Sequence, residues 1–205
     1  MEETPVATTE GAARPGPDGR HRCLWALNSD DELRYHDAEW GYPVQDDQAM
    51  FERICLEGFQ AGLSWLTVLR KRAALREVFQ NFDIATVAGY GPEDVTRLLG
   101  DARIIRSRPK IEAVVANARA ALEIPGGLAG FVWSYAPAPS SAPVTVGDLS
   151  AATSESTALA KALKRHGFRF VGPTTAYATM QATGIVDDHL AGCYRRGDST
   201  PQPSA

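Results

Sequence analysis

The sequence lacks the features that define several large classes of protein. Its 205 residues include no apolar run long enough to span a bilayer, so no membrane association is expected. The first residues, MEETPVATTEGAARPGPDG, have neither the apolar stretch of a secretion signal nor the arginine-rich pattern of a transit peptide. A cytoplasmic location is therefore expected. This stretch also has little to bury, and residues 1–20 are predicted to form a disordered leader.

Cysteine is also scarce. Three cysteines cannot all pair in disulfides, and they cannot supply the four ligands of an iron–sulfur cluster. The remaining question is whether two of them bind a metal ion. Cys55 falls on the apolar face of a predicted helix, where a packing role is favoured over metal binding.

Segments that alternate apolar and polar residues are nearly absent, whereas helical periodicity is frequent. One helix is predicted behind Asp46 and Asp47, and Ser64 is predicted to cap the next. Further helices are predicted at 92–100, 108–123, 153–166, 173–183 and 186–194. The proline-rich stretch 136–143 is predicted to be a loop, and 196–205 a disordered tail. The sequence therefore predicts an all-α domain over residues 21–195.

Two pairs of metal-binding side chains lie near the two ends of the predicted domain. Cys23 and His36 are thirteen residues apart, and His189 and Cys193 are four apart. On a helix the second pair would share one face. Two thiolates and two imidazoles form the closed tetrahedral set typical of structural zinc. The alternative, inert buried cysteines with unrelated histidines, stays open on spacing alone.

Three of the four tryptophans, Trp25, Trp40 and Trp65, fall within about forty residues. Tyr35 accompanies them, and so does Glu57 on an otherwise apolar helix. Aromatic faces beside a carboxylate suit a planar, electron-poor or cationic ligand, through stacking, cation–π attraction and N–H hydrogen bonds. A purely structural role for the tryptophans as core anchors is the alternative.

Basic residues cluster in a predicted turn between two helices, although the net charge is −4. Net acidity argues against a nucleic-acid partner, but acidic residues crowd 28–57 and basic residues cluster at 70–72, 103–110 and 161–169. Backbone amides at a helix start, aided by nearby cations, can hold a phosphate. The cations of this turn are Arg103, Arg106, Arg108 and Lys110. A solvated, charged helix connection is the alternative.

Four long segments together resemble the 3-methyladenine DNA glycosylase I family. They are RCLWALNSDDELRYHDAEWGYP, FERICLEGFQAGLSWLTVLRKR, DARIIRSRPKI and GFRFVGPTTAYATMQATGIVDDHLAGC. The resemblance runs from about residue 22 to 193, in the family's order and spacing. It implies a two-lobed helix-hairpin-helix fold, with a base pocket between the lobes and a hairpin that grips the DNA backbone.

The resemblance also assigns residues to roles. Cys23, His36, His189 and Cys193 match the ligands of a structural zinc that joins the N- and C-terminal parts. Glu57 matches the carboxylate that contacts the methylated adenine, and Tyr35 and Trp65 match the rings that sandwich it, with Trp25 and Trp40 nearby. Gly62 and Leu63 match a loop inserted into the duplex. Arg103 departs from the family, which usually has glycine in the hairpin turn, and arginine is expected to be strained there.

The implied activity is excision of 3-methyladenine from alkylated double-stranded DNA by a monomer, with free 3-methyladenine as product. No aspartate lies between Ile111 and Gly147, where many hairpin glycosylases carry a catalytic one, and no lysine is placed for Schiff-base chemistry. A monofunctional enzyme acting on a charged, unstable nucleotide is therefore expected. The alternatives are a relative with another lesion specificity, an inactive DNA- or nucleotide-binding module of the same fold, and a zinc-stapled interaction protein.

Overall fold

Helices dominate the computed structural model, which describes residues 11–198. Two short strands, β1 (Arg14–Pro15) and β2 (His21–Arg22), pair antiparallel before the first helix. The helices are α1 (Asp30–Ala38), α2 (Asp47–Gln60), α3 (Trp65–Val78), α4 (Ile84–Ala88), α5 (Pro92–Gly100), α6 (Arg108–Leu122), α7 (Leu128–Trp133), α8 (Ser154–Arg165) and α9 (Pro173–Ala182). Within the described residues, none of them has the length and apolar character needed to cross a membrane. The all-α prediction is confirmed, with a small hairpin added.

The predicted helix starts are confirmed together with the capping residues that cause them. The Asp46 carboxylate accepts a hydrogen bond from the backbone N–H of Ala49, and the Ser64 hydroxyl accepts one from that of Thr67. Helices α5, α6, α8 and α9 begin within one residue of prediction. Three further helices, α1, α4 and α7, had not been predicted. Helices α4 and α7 span only five and six residues, too short for a clear periodic signal.

The predicted helix at 186–194 is wrong. Residues 187–190 are irregular and short turns follow, so His189 and Cys193 do not share a helix face. The Asp187 carboxylate gives the physical reason, because it accepts hydrogen bonds from both the backbone N–H and the imidazole of His189. Such local side-chain bonds compete with helical hydrogen bonding.

Both predicted domain boundaries shift outwards. Residues 11–20, assigned to the leader, include β1, and the buried Arg22 guanidinium pairs with Asp18. At the other end Arg195 is 1% exposed and stacks on the Tyr42 ring, and Arg196 donates a hydrogen bond to the carbonyl of Asp187. Ordered structure therefore extends beyond 21–195 in both directions. The rest of the predicted leader and tail, residues 1–10 and 199–205, lies outside the described residues.

Helix α2 is the centre of the core and positions the candidate site. All residues from Met50 to Phe59 are buried, because α3, α6, α7 and α9 surround the helix. A second, smaller cluster lies beside this core and includes Cys23, Tyr35, Trp40 and Cys193. A carboxylate on α2 is therefore held in an apolar environment next to an aromatic cluster.

Candidate functional site

A cavity of about 290 Å³ opens beside α2 and brings together the predicted aromatic and acidic residues. Its lining includes Trp25, Tyr35, Trp40, Glu57 and Trp65, which come from four separate parts of the sequence. Small-molecule sites are typically of this kind, mostly apolar with a few placed polar groups. The cavity is therefore the candidate base pocket.

Helix α1 carries two residues that line the cavity and one that lies beside the cysteines. Glu32 and Tyr35 are three apart and both line the cavity, because residues i and i+3 share a helix face. His36 follows directly, is fully buried, and lies 3.4 Å from the Cys193 sulfur. The two candidate sites are thus joined through a single short helix.

The aromatic rings contact one another at right or oblique angles. Trp25 meets Trp40 edge to face with ring centroids 5.1 Å apart, and Tyr35 meets Trp65 at 5.1 Å and 50°. A planar base between two rings requires a separation of about 7 Å, twice the contact distance of carbon atoms. Tyr35 is 3% exposed and Trp65 is only half-buried, so Trp65 has more room to move aside for a base.

Glu57 is 6% exposed and lines the cavity from α2. Burial raises the pKa of this carboxyl to about 8, and the positive charge of Arg53 offsets part of the rise. A carboxyl with such a pKa is protonated in an empty pocket at neutral pH and ionises when a cation arrives. This is the electrostatic behaviour expected of a group that contacts a charged base.

Three polar residues of the cavity had not been predicted: Glu32, Gln60 and Gln181. Helical spacing could have indicated the first two, since Glu32 precedes Tyr35 by three positions and Gln60 follows Glu57 by three. Gln181 lies on α9, and only the tertiary structure brings it here. Its amide donates a hydrogen bond to the buried Asp188 carboxylate at 2.8 Å.

The cysteines of the two ends of the domain lie next to each other. Among the described residues, Cys23, His36 and Cys193 place their ligand atoms within 4.8 Å of one another, and all three are buried. The pKa of Cys193 is lowered because the Cys23 thiol hydrogen bonds to it and His36 adds a second contact, while the pKa of Cys23 is raised. Cys55 packs in the main core, as predicted.

In both histidines the Nδ1 atom is paired with a neighbouring carboxylate, which leaves Nε2 as the nitrogen available to a metal ion. Nδ1 of His36 lies 2.8 Å from the Asp37 carboxylate, and Nδ1 of His189 lies 2.9 Å from that of Asp187. Metal-bound histidines typically have such a carboxylate partner. Nε2 of His189 is buried without a hydrogen-bond partner, and its ring centroid is 5.1 Å from that of His36. Cys23, His36 and Cys193, with the His189 ring close to that of His36, offer the thiol and imidazole donors that structural zinc prefers.

The turn between α5 and α6 differs from expectation at Arg103. Arg103 is not among the non-glycine residues of 11–198 that have a positive φ angle. The prediction of backbone strain at this position is therefore wrong. Its guanidinium instead pairs with Glu77 at 2.8 Å and with Asp101 at 2.7 Å. The charge is therefore neutralised within the protein and holds the turn against α3.

The other three basic residues of the turn differ in how far they are available to a phosphate. Lys110 donates hydrogen bonds to the backbone carbonyls of Phe59 and Ala61, and Arg108 lies 3.4 Å from Glu112. Arg106 is exposed and makes no ion pair within the described part of the chain. Ile104 and Ile105 are buried and anchor the turn, as predicted.

The predicted duplex wedge lies beside the cavity. Gly62 has a φ of +75°, and Leu63 is 41% exposed in the short connection between α2 and α3. This connection is flanked by two cavity residues, Gln60 and Trp65. Leu63 is thus an exposed apolar side chain between two residues of the cavity lining, and its insertion into a base stack stays a prediction.

This combination of a helical fold with an aromatic, acidic pocket defines a base-binding protein of the methyladenine glycosylase family. The family model for methyladenine glycosylase matches residues 25–196, and the chain belongs to that family.

Its relatives include DNA-3-methyladenine glycosylase 1 of Escherichia coli (strain K12), 48% identical over 178 residues that cover 84% of this chain and 95% of the relative. A crystal structure of 3-methyladenine DNA glycosylase I is 46% identical, with a TM-score of 0.82 over 85% of this chain and 99% of the other. The Staphylococcus aureus enzyme, solved to explain 3-methyladenine recognition, is 35% identical with a TM-score of 0.82, over 85% of this chain and 96% of the other.

Proposed function

We propose that this protein is a monofunctional DNA glycosylase, which hydrolyses the N-glycosidic bond of 3-methyladenine in alkylated DNA and so begins base-excision repair. The observation that carries the proposal is the buried Glu57 carboxyl within an aromatic cavity. The similarity to enzymes named for this activity supports it.

The reaction depends more on selective binding of the methylated base than on its protonation by an acid. Methylation at N3 gives the base a positive charge, so it is already a good leaving group once it is flipped out of the duplex. Tyr35 and Trp65 stack on the base after Trp65 has moved aside, and Trp25 and Trp40 close the pocket. Glu57 accepts the exocyclic N–H and, as a carboxylate, balances the charge. Water then attacks C1′ as the C1′–N9 bond breaks.

A structural zinc ion is part of the proposal. Cys23, His36, His189 and Cys193 would hold it, and it would supply a crosslink between the N- and C-terminal parts of the domain. The buried, unpartnered Nε2 of His189 supports this assignment. With four protein ligands the ion has no open position for substrate.

DNA binding is proposed for the face that carries the α5–α6 turn and the Gly62–Leu63 loop. In this two-lobed helix-hairpin-helix arrangement, Arg106 and the amides at the start of α6 contact phosphates, while Leu63 enters the duplex. Arg108 contributes charge at the rim. Arg103 and Lys110 instead brace the turn through the intramolecular contacts already described. Monomeric state and cytoplasmic location stay predictions from the sequence.

The proposal is tested by release of free base from methylated DNA, separated by chromatography. We expect the wild type to release 3-methyladenine but not 7-methylguanine. Glu57→Gln should reduce release about 10- to 100-fold, the equivalent of one charge-assisted hydrogen bond. Glu123→Gln, at an exposed position on the C-terminal end of α6, is the matched control and should leave release unchanged.

Other outcomes would favour the alternatives. Release of uncharged bases by the wild type would indicate a glycosylase of different lesion specificity. A folded, zinc-loaded protein that releases no base but binds DNA in a salt-sensitive manner would indicate an inactive binding module.

A further inference from the structure

We propose that Arg53 is a positioning residue of the base pocket: its guanidinium supports the Tyr35 ring and places a positive charge one helical turn from Glu57, so that Glu57 can carry negative charge against the base. This inference rests on the proposed function. Arg53 lies outside the cavity lining and acts on two residues of the lining, Tyr35 and Glu57.

The position of Arg53 is fixed by an ion pair in the interior. The residue is 9% exposed, and its Nη2 lies 2.8 Å from the Glu39 carboxylate at the end of α1. Arg72 on α3 shares the same carboxylate at 2.7 Å and also binds Glu52. A buried guanidinium in such a network has few alternative rotamers, so its charge is held in one place.

The guanidinium contacts the pocket through Tyr35. Its central carbon lies over the Tyr35 ring, 5.7 Å from the centroid, within the range of a cation–π interaction. The Tyr35 ring also contacts Trp65. Tyr35 is therefore the wall of the pocket that Arg53 supports, and the half-buried Trp65 is the wall with room to move.

Two buried polar atoms here have no hydrogen-bond partner: Nη1 of Arg53 and the hydroxyl of Tyr35. Unpaired buried donors are costly, so their presence requires an explanation. Nη1 of Arg53 is a donor that the ion pair with Glu39 does not use. Glu57 lies four residues further along α2, on the same side of the helix, so the positive charge of Arg53 acts on its carboxyl.

The charges around Glu57 determine whether each neighbour favours or opposes its ionisation. Glu57 shares the cavity with the carboxyl of Glu32 on α1, and Glu39 at the end of α1 pairs with Arg53 and with Arg72 of α3. Burial opposes ionisation of Glu57, and Arg53 is the charge that offsets part of this opposition. Removal of the Arg53 charge should make Glu57 harder to ionise, and removal of the Glu39 charge should make it easier.

The experiment titrates Glu57 by ¹³C NMR of labelled glutamate carboxyls, with its signal assigned by its loss in Glu57→Gln. In Arg53→Met the midpoint should rise by about one pH unit, and in Glu39→Gln it should fall. Arg53→Lys should restore a midpoint near that of the wild type. Arg76→Met, which removes a half-exposed member of the same network, should leave the midpoint unchanged.

The same variants are assayed for release of 3-methyladenine against pH. Arg53→Met should shift the pH profile of base release to higher pH by about one unit. Release at pH 7 should therefore fall about tenfold. An unchanged midpoint in Arg53→Met, or an equal shift in Arg76→Met, would overturn the inference. Failure of the wild type to release base would overturn the proposed function instead, and the NMR titration would still decide the role of Arg53. If Arg53→Met does not fold, the opposite shift in Glu39→Gln decides it.

Discussion

The ammonium group of Lys110 donates a hydrogen bond to the backbone carbonyl oxygen of Phe59, at 2.9 Å. It joins the first turn of α6 to the last turn of α2, where carbonyl groups have no helical partner. A second bond goes to the carbonyl of Ala61, just before the predicted wedge. Lys110 therefore supports the connection that carries Gly62 and Leu63, and its phosphate contact stays a prediction from the sequence.

Lys110→Met should lower the free energy of unfolding by about 1 kcal/mol, because the carbonyls of Phe59 and Ala61 lose a charged donor. Urea unfolding with and without the substitution measures this. The salt dependence of DNA binding should stay unchanged. A reduced salt slope with unchanged stability would mean that Lys110 contacts phosphate.

Arg106→Ala should weaken the salt dependence of DNA binding and leave stability nearly unchanged, the opposite of what is expected for Lys110→Met. The exposed guanidinium is available to a phosphate, so its loss should reduce the slope of log K against log salt by about one. Stability should change by less than about 0.5 kcal/mol, as is usual on the surface. Fluorescence anisotropy on an abasic-site duplex at several salt concentrations provides the measurement. An unchanged slope would remove Arg106 from the DNA interface.

Cys193→Ser should abolish zinc binding, since it removes one of two thiolate ligands. We expect one zinc per wild-type chain by metal analysis and almost none in the variant, together with a lower melting temperature. Cys55→Ala is the matched control, because this cysteine is equally buried but packs in the main core. Equal zinc content in all three proteins would contradict the proposed ligand set.

Glu57→Gln should stabilise the protein at alkaline pH while it impairs base release. Burial raises the pKa of Glu57 from 4.5 to about 8, so between these values the folded state holds a proton that the unfolded state has lost. Stability contributed by the neutral carboxyl is complete below pH 4.5 and is lost as the pH rises toward 8.

The glutamine does not titrate, so at pH 8 the free energy of unfolding of the variant should exceed that of the wild type by about 4 kcal/mol, against less than about 1 kcal/mol at pH 5. Denaturant unfolding across this pH range checks the sign. Glu123→Gln, at an exposed site, should follow the pH dependence of the wild type. A wild-type stability that rises between pH 5 and 8 relative to Glu57→Gln would refute the assignment.

Local sequence signals predicted the helices well where caps and apolar periodicity agree. Ser64 caps the helix that it was expected to cap, and Asp46, expected in an acidic first turn, is the N-cap of α2. The segment after α9 was predicted wrongly because the i, i+4 spacing of His189 and Cys193 suggests a helix, while the Asp187 side chain bonds to His189 and favours an irregular path. Tertiary packing brings both residues close to His36 on α1, where Cys193 lies 3.4 Å from its imidazole.

The sequence by itself determined the helical class, the candidate zinc ligands and the acidic, aromatic composition of the pocket, because periodicity and long specific motifs are properties of the chain. Only the tertiary structure decided which charges are available. Arg103 and Lys110 have partners within the protein, Arg106 is exposed, and the Arg53 guanidinium lies over the Tyr35 ring. The reason is that the effect of a charge depends on its distance from partners and on its burial. Both are set by packing between helices that lie far apart in the sequence.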